Sequence, residues 1–381
     1  MFWTMKKLIF YIFGYYGSKN AGDEAFRLAF QELLPKGPEL RFIRPSELAG
    51  NIELVKQIHH QVAEGSAHLI VGGGAIIGEP YFWEHIPPAT PFHIISADIG
   101  SKEFLLSRYT ATLEYAKTCW IRSEADAQLL SDLGAGGPFH FLPDIVHSLA
   151  PSPREVSQIE AMEPQARNLK LLECMAGCCE NTMPPAQLRN KNVAVFLSDH
   201  YYDYKTIGAA NILEGIEREA ADKMYVRHLR MAMDELLQYY NLYFFSLSFW
   251  YNSIDSFVGY QLARSSRNAP LYNLVNRYLE PAEILALMPY FDLAISMKFH
   301  GLIFPMAAGV PVMNLGTSKK NQDLAKQMGL VSLSPEELTV SSFLQTLKQV
   351  ESLEYTTSVA ETQRLARESI LTAFAQPRLW D

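Results

Sequence analysis

KKLIFYIFGYYGSKNAGDEAFRLAFQELL, residues 6–34, sets a short apolar run, a glycine-punctuated loop and a helical pattern in immediate succession. Leu8 to Phe13 reads as a buried strand. After the loop, Phe26, Ala29, Phe30 and Leu33 recur at helical spacing and give one apolar face. The same rhythm continues outward. RFIRP, the helical NIELVKQIHHQVAEG and the strand HLIVGGG follow. FHIISADIG, a helix from Phe104 to Tyr115, CWIRS, the helical DAQLLSDLG and FHFLPDIV come next. Strands separated by helices of this length imply βαβ units and a parallel sheet.

Residues 151–191 break the rhythm. PSPREVSQIEAMEPQ and GCCENTMPPAQLRNKN are rich in Pro, Asn and charge, and read as a linker or surface excursion. Alternation resumes with NVAVFLSD, the helical IEREAADKMYVRHLRMAMDELLQYY and NLYFFSLSF. A helix near Ser253 to Arg264, APLYNLV, the helix PAEILALMPYF, DLAISM, LIFPMAAG and VPVMNLG complete it. The expected class is α/β, with two Rossmann-like domains facing a central cleft. They span residues 1–165 and 193–356, with a linker over 166–192 and a C-terminal helix in 357–381 packing back on the first domain.

The 381 residues are 48% hydrophobic and 19% charged, which is globular composition with material for two cores. A net charge of −8 argues against a nucleic-acid footprint and against polybasic attachment to anionic lipid. No stretch has the 18 or more apolar residues of a transmembrane span. The N-terminal MFWTMKKLIFYIFGYYG resembles a signal peptide only in outline. Its apolar run is short, no small-residue cleavage site follows, and a first strand explains it better. Cys119, Cys174, Cys178 and Cys179 have no neighbouring histidine and lack paired zinc-ligand spacing, so reduced thiols in a cytoplasmic protein are expected, with no metal.

Ligands of open α/β sheets sit beyond the carboxyl ends of the strands. Gly14, Gly17 and Gly22 in the opening loop do not make a GxGxxG fingerprint. Asp23 and Glu24 at the helix start suit the helix dipole and would repel a phosphate dianion there. Asn20 and Asp23 offered to hydroxyl groups fit the residues better. VGGGAIIGE, residues 71–79, places Gly73 and Gly74 at a strand end, where they allow close backbone approach or simply a tight turn. Glu79, with the aromatic residues after it, would suit a sugar or form an ordinary loop edge. DLAISMKFHGLIFPMAAGVPVMNLG, residues 292–316, is the most informative stretch. Lys298 and His300 follow a buried strand just before a helix, and their side chains would project together if the chain stays extended. With the helix N-terminus they form an anion site with a proton donor, or else a surface lysine and a structural histidine. Lys319 and Lys320 come after the next strand, at the same sheet edge. Arg122 ends the strand CWIR, and Asp144 follows FHFLP; an anion contact and a salt bridge both remain open for the arginine. Phe249, Trp250 and Tyr251 are candidates for stacking on a sugar, although most of their aromatic run fits a core.

These motifs resemble the polysaccharide pyruvyl transferase family. The resemblance rests on GYYGSKNAGDEA, VGGG, IRSEADAQLL, LPD and SMKFHGLIFPMAAGVPVMNL, in that order, over about residues 8–330. It implies a two-domain fold like that of the GT-B glycosyltransferases, and transfer of a pyruvyl group from phosphoenolpyruvate (PEP) to two sugar hydroxyls. By position, His300 matches the family's general acid or base. Lys298 stands where the family usually has the arginine of an Arg-Leu-His triplet. Arg122 and Lys320 match further cationic positions. Lysine lacks the planar bidentate fork of arginine, and FLSDH at 196–200 has no arginine at its strand end.

The implied chemistry needs an acid near the PEP methylene and cations at the leaving phosphate. His300 would supply the proton, and Arg122 in the first domain with Lys298 and Lys320 in the second would hold PEP. Asn20, Asp23, Gly73, Gly74 and Glu79 would face the acceptor in the first. PEP is a co-substrate, and no other cofactor is required. The expected partners are PEP and a sugar or lipid-linked glycan, the latter consistent with a peripheral position at the inner membrane face. Oligomeric state is left open. The alternatives are a GT-B glycosyltransferase using a sugar nucleotide, and a non-catalytic glycan-binding descendant.

Overall fold

The computed structural model describes residues 8–86, 89–133, 139–180, 184–198, 212–250, 253–316, 318–376 and 380. The chain divides into two compact units. One comprises Met1–Ser18, Asp23–Leu149 and Leu365–Asp381, the other Lys19–Gly22 and Ala150–Arg364.

The first unit is built on strands β1 (Ile9–Phe13), β2 (Glu39–Ile43), β3 (Ala67–Ile77), β4 (Phe92–Ile99), β5 (Ala116–Ile121) and β6 (Phe139–Phe141). They form one sheet in the order β2-β1-β3-β4-β5-β6, and every neighbouring pair is parallel. All five residues of β1 are buried, which is why the run shows no polar alternation. Chain order reverses between β1 and β3, so the opening loop and the triple glycine flank the topological switch point. The longer helices of this part of the chain are α1 (Ala21–Leu33), α2 (Ile52–Ala63) and α3 (Glu124–Asp132).

β3 does not end at the glycines but runs through them to Ile77. The reason is packing. A Cβ on Gly72 would stand 2.7 Å from Phe30 Cζ, and one on Gly73 would stand 2.6 Å from Phe26 Cγ. The glycines let the buried phenylalanines of α1 lie directly on the strand backbone, and Gly73 and Gly74 take φ of +83° and +97°. In β4, Ser96 has φ +55° although it is not glycine. Its pairing with β5 shifts register there, and its Oγ accepts the Ile145 amide at 3.0 Å.

The stretch expected as a linker over 166–192 is largely folded, and residues from Ala150 onward group with the second unit. Pro153 and Pro164 do not break structure; each stands at the start of a helix, α4 (Pro153–Glu160) and α5 (Pro164–Met175). Arg167 of α5 places Nη2 2.7 and 2.9 Å from the two carboxylate oxygens of Asp292. Asp292 in turn accepts the Asn192 amide at 2.7 Å. Asn168 is hydrogen-bonded to Asn192, and Asn192 to Asn241, so α5 is tied to the amino ends of the second sheet.

That sheet comprises β7 (Cys179–Glu180), β8 (Lys191–Phe196), β9 (Tyr240–Phe245), β12 (Tyr272–Val275), β13 (Leu293–Ser296) and β14 (Val312–Asn314). The order is β14-β13-β8-β9-β12-β7, parallel except for the short β7 at one edge. A small hairpin, β10 (Phe249–Trp250) with β11 (Ser253–Ile254), follows β9. The further described helices are α6 (Ile212–Leu236), α7 (Ser256–Ser265), α8 (Pro281–Leu287), α9 (Phe299–Ala307), α10 (Lys319–Met328), α11 (Val340–Val350) and α12 (Leu353–Phe374). Here the order reverses between β8 and β13. The segments after Phe196 and after Ser296 therefore flank the second switch point. Among the described residues, no helix is long and apolar enough to cross a membrane.

Candidate functional site

At the second switch point β13 ends in Ser296, and the chain turns at once into α9. Ser296 Oγ accepts the Lys298 amide at 2.9 Å and donates to the Lys298 carbonyl at 2.9 Å, which holds the turn closed. A Cβ on Gly301 would lie 2.4 Å from that Oγ, so the glycine makes room for the serine. Lys298 is the N-cap residue, with extended φ and ψ, and the helix begins at Phe299.

This start replaces the extended geometry expected at Lys298 and His300. His300 already lies in the first helical turn, so its direction is set by the helix and not by strand alternation. The two side chains go separate ways. Lys298 Nζ pairs with Asp255 Oδ1 at 2.9 Å, with side-chain exposures of 16% and 0%. His300 sets its ring against Gly22, where a Cβ would stand 2.2 Å from Nδ1. Phe299 meets the same imidazole edge-on at 5.2 Å.

Gly22 belongs to the four-residue segment Lys19–Gly22, which groups with the second unit. The segment is bound by backbone. Ala21 N donates to Leu247 O at 2.7 Å, Phe249 N donates to Lys19 O at 3.0 Å, and Asn20 bridges Ser248 as an antiparallel pair. Lys19 takes φ +56° to make the turn. The Asn20 side chain accepts the Gly22 amide at 3.0 Å, as an N-cap does, which accounts for an asparagine there. Asn20 thus stands with His300 in one unit, although the sequence suggested opposite sides.

Lys320 is exposed in the first turn of α10. In the second unit the structure therefore gathers Lys298, His300 and Asn20. It also gathers Asp255 and Gly22, which the sequence reading did not single out as functional. Asp255 fell within the helix expected near Ser253 to Arg264, and its partner lies 43 residues on. Phe249 is half-buried, with its ring edge-on to Tyr278. Tyr251 and the Asp199–His200 end of FLSDH lie outside the described residues.

The remaining candidates lie in the first unit. Asp23 and Gly74 come together: a Cβ on Gly74 would be 3.6 Å from Asp23 Oδ1. Glu79 precedes the helical turn Pro80–Trp83, and burial raises its carboxyl above the ordinary range. Arg122 is buried between two carboxylates, with Nε 2.6 Å from Asp98 Oδ2 and Nη1 2.8 Å from Asp144 Oδ2. Burial opposes its charge, but the two carboxylates outweigh burial and hold it firmly protonated. Its ion pairs reach the end of β4 and the turn after β6, not the helix that follows it. One guanidinium between two carboxylates offers an incoming dianion little attraction, so Arg122 ties loop ends together in this structure.

Chemically, the second-unit constellation combines an ammonium, an imidazole and a helix N-terminus, whose dipole favours anions. An ammonium has three N–H donors, and Asp255 takes one of them. Among solved structures, the chain is similar to a glycosyltransferase from Rickettsia africae, at 12% identity over 97% of this chain and 94% of that one, with TM-score 0.53. It is similar to the UDP-GlcNAc 2-epimerase of Methanocaldococcus jannaschii, at 10% identity over 96% and 99%, with TM-score 0.51. It is also similar to S. aureus MnaA in a UDP co-structure, at 11% identity over 95% and 94%, with TM-score 0.52. At such identities the likeness is one of fold, the GT-B type. No curated protein gives a significant match. A family model described as polysaccharide pyruvyl transferase matches residues 20–319.

Proposed function

The chain belongs to the polysaccharide pyruvyl transferase family, and from that premise we propose that it moves the pyruvyl group of PEP onto two hydroxyls of a sugar or glycan precursor. His300 protonates the PEP methylene, which becomes a methyl group and leaves an oxocarbenium-like carbon. One acceptor hydroxyl attacks that carbon and returns its proton to the His300 imidazole. The second hydroxyl then attacks the same carbon as the bond between that carbon and the phosphate oxygen breaks; phosphate leaves with the second hydroxyl's proton, and the cyclic ketal closes. Lys298, and by its position Lys320, neutralise the anion as it leaves.

The observation that supports this reading most is the turn at Ser296–His300, where an ammonium and an imidazole flank a helix N-terminus at a switch point. The family pattern adds His300 as the acid. Arg122 contributes by holding loops and not by contacting PEP.

The test is phosphate release from PEP by purified protein offered a panel of diol-bearing sugars. His300→Ala is expected to lower kcat by about a hundredfold or more, the size of a lost general acid, while the KM for PEP stays within a few fold. Thermal stabilisation by a UDP-sugar and not by PEP would overturn the reading in favour of sugar-nucleotide transfer.

A further inference from the structure

We propose that Asp255 is the positioning residue of this site, fixing the Lys298 ammonium relative to His300; the inference rests on the PEP reading above. Asp255 is 2% exposed, and a buried carboxylate beside an anion site is unfavourable unless its charge is fully used. Here both oxygens are committed. Oδ1 takes the Lys298 ammonium at 2.9 Å, and Oδ2 accepts the amides of Leu247 and Ser248 at 3.1 and 2.9 Å.

The division between the two oxygens is what gives the carboxylate its role. Leu247 and Ser248 are the residues that pair with Ala21 and Asn20. The next residue in that segment, Gly22, is the surface against which His300 rests. One carboxylate thereby ties the cation to the backbone edge that seats the acid. PEP must be held by the cation at a set distance from the acid, and a displaced ammonium loses its hold on the anion in ground state and transition state alike. A lysine on a flexible stem depends on such a tether more than a planar guanidinium would.

The experiment is a double-mutant cycle on PEP-dependent phosphate release with Asp255→Asn, Lys298→Met and the pair. Asp255→Asn is expected to raise the KM for PEP about tenfold with kcat within threefold. In the Lys298→Met background it should add less than twofold. Independent, multiplying effects, or a fall in kcat in both backgrounds, would show a structural role and overturn the proposal. If Asp255→Asn does not fold, Asp255→Glu keeps the charge but displaces the ammonium by a methylene; an unchanged KM for PEP there overturns it equally. A wild type that releases no phosphate from PEP removes the underlying reading as well, whereas turnover with additive effects removes only the role of Asp255.

Discussion

Gly22 occupies a helical position where alanine would be the better helix former by about 1 kcal/mol. It is glycine because His300 Nδ1 sits where the Cβ would be. Gly22→Ala should therefore leave folding nearly unchanged and push the imidazole aside. We expect kcat/KM to fall at least tenfold with the thermal midpoint within a few degrees, checked by steady-state kinetics beside circular dichroism. Wild-type turnover would show that the imidazole does not need this seat. At this scale Lys298 and His300 stood out as candidates, because a strand, a polar pair and an apolar helix stand next to one another in sequence. Gly22 was visible only as a loop glycine, and Asp255 only as one residue of an expected helix. Their roles come from contacts hundreds of residues or tens of residues away, and no local pattern encodes those.

Among the elements, β4 shows how one strand serves two ends of a unit. Its carboxyl end presents Asp98 to Arg122. Near its amino end lies His93, buried against His68 and Trp380 at ring distances of 5.6 and 5.3 Å. Burial first, then His68 and Lys117, push the His93 imidazole down from 6.5 to about 3. Burial lowers His68 too. A depressed histidine favours the folded state above the unfolded value and works against it below. The stability is thus present above pH 6.5 and lost as pH falls toward 3, at about 1.4 kcal/mol per pH step for a single group. His93→Phe keeps a ring for Trp380 and removes the titration. Between pH 7.5 and 5.5, urea melts should show the wild type losing roughly 1 kcal/mol more than the variant; equal losses would refute this. The strands themselves were readable as apolar runs, and most helices as periodic ones. The segment over 151–191 was not, because proline at a helix start and proline in a linker look alike in sequence.

On the scale of the whole molecule, the chain enters the second unit at Lys19–Gly22, returns to the first at Asp23, re-enters the second at Ala150 and comes back to the first at Leu365 within α12. The structure places the C-terminal helix, expected within 357–381, at Leu353–Phe374, and periodicity alone points to such a helix. It does not reveal where the helix changes units, which depends on the surfaces its buried side chains meet. In the first unit, Phe374 lies 5.0 Å from the Trp120 ring, and Trp380 meets Phe10 edge-on at 5.1 Å. Ile370 is fully buried. Each such side chain is worth about 1.5–3 kcal/mol when buried, against a total domain stability of about 5–15 kcal/mol. Deleting residues 365–381 should therefore cost the first unit several kcal/mol, although more than half the chain lies outside it. Trp83 and Trp120 report on that unit. Their emission in the truncated protein should shift to the red at a much lower urea concentration than in the full chain, and protease sites within 23–149 should become cleavable first. An unchanged emission midpoint would mean that the C-terminal stretch adds nothing to the first core, and that Trp120 keeps its environment without Phe374.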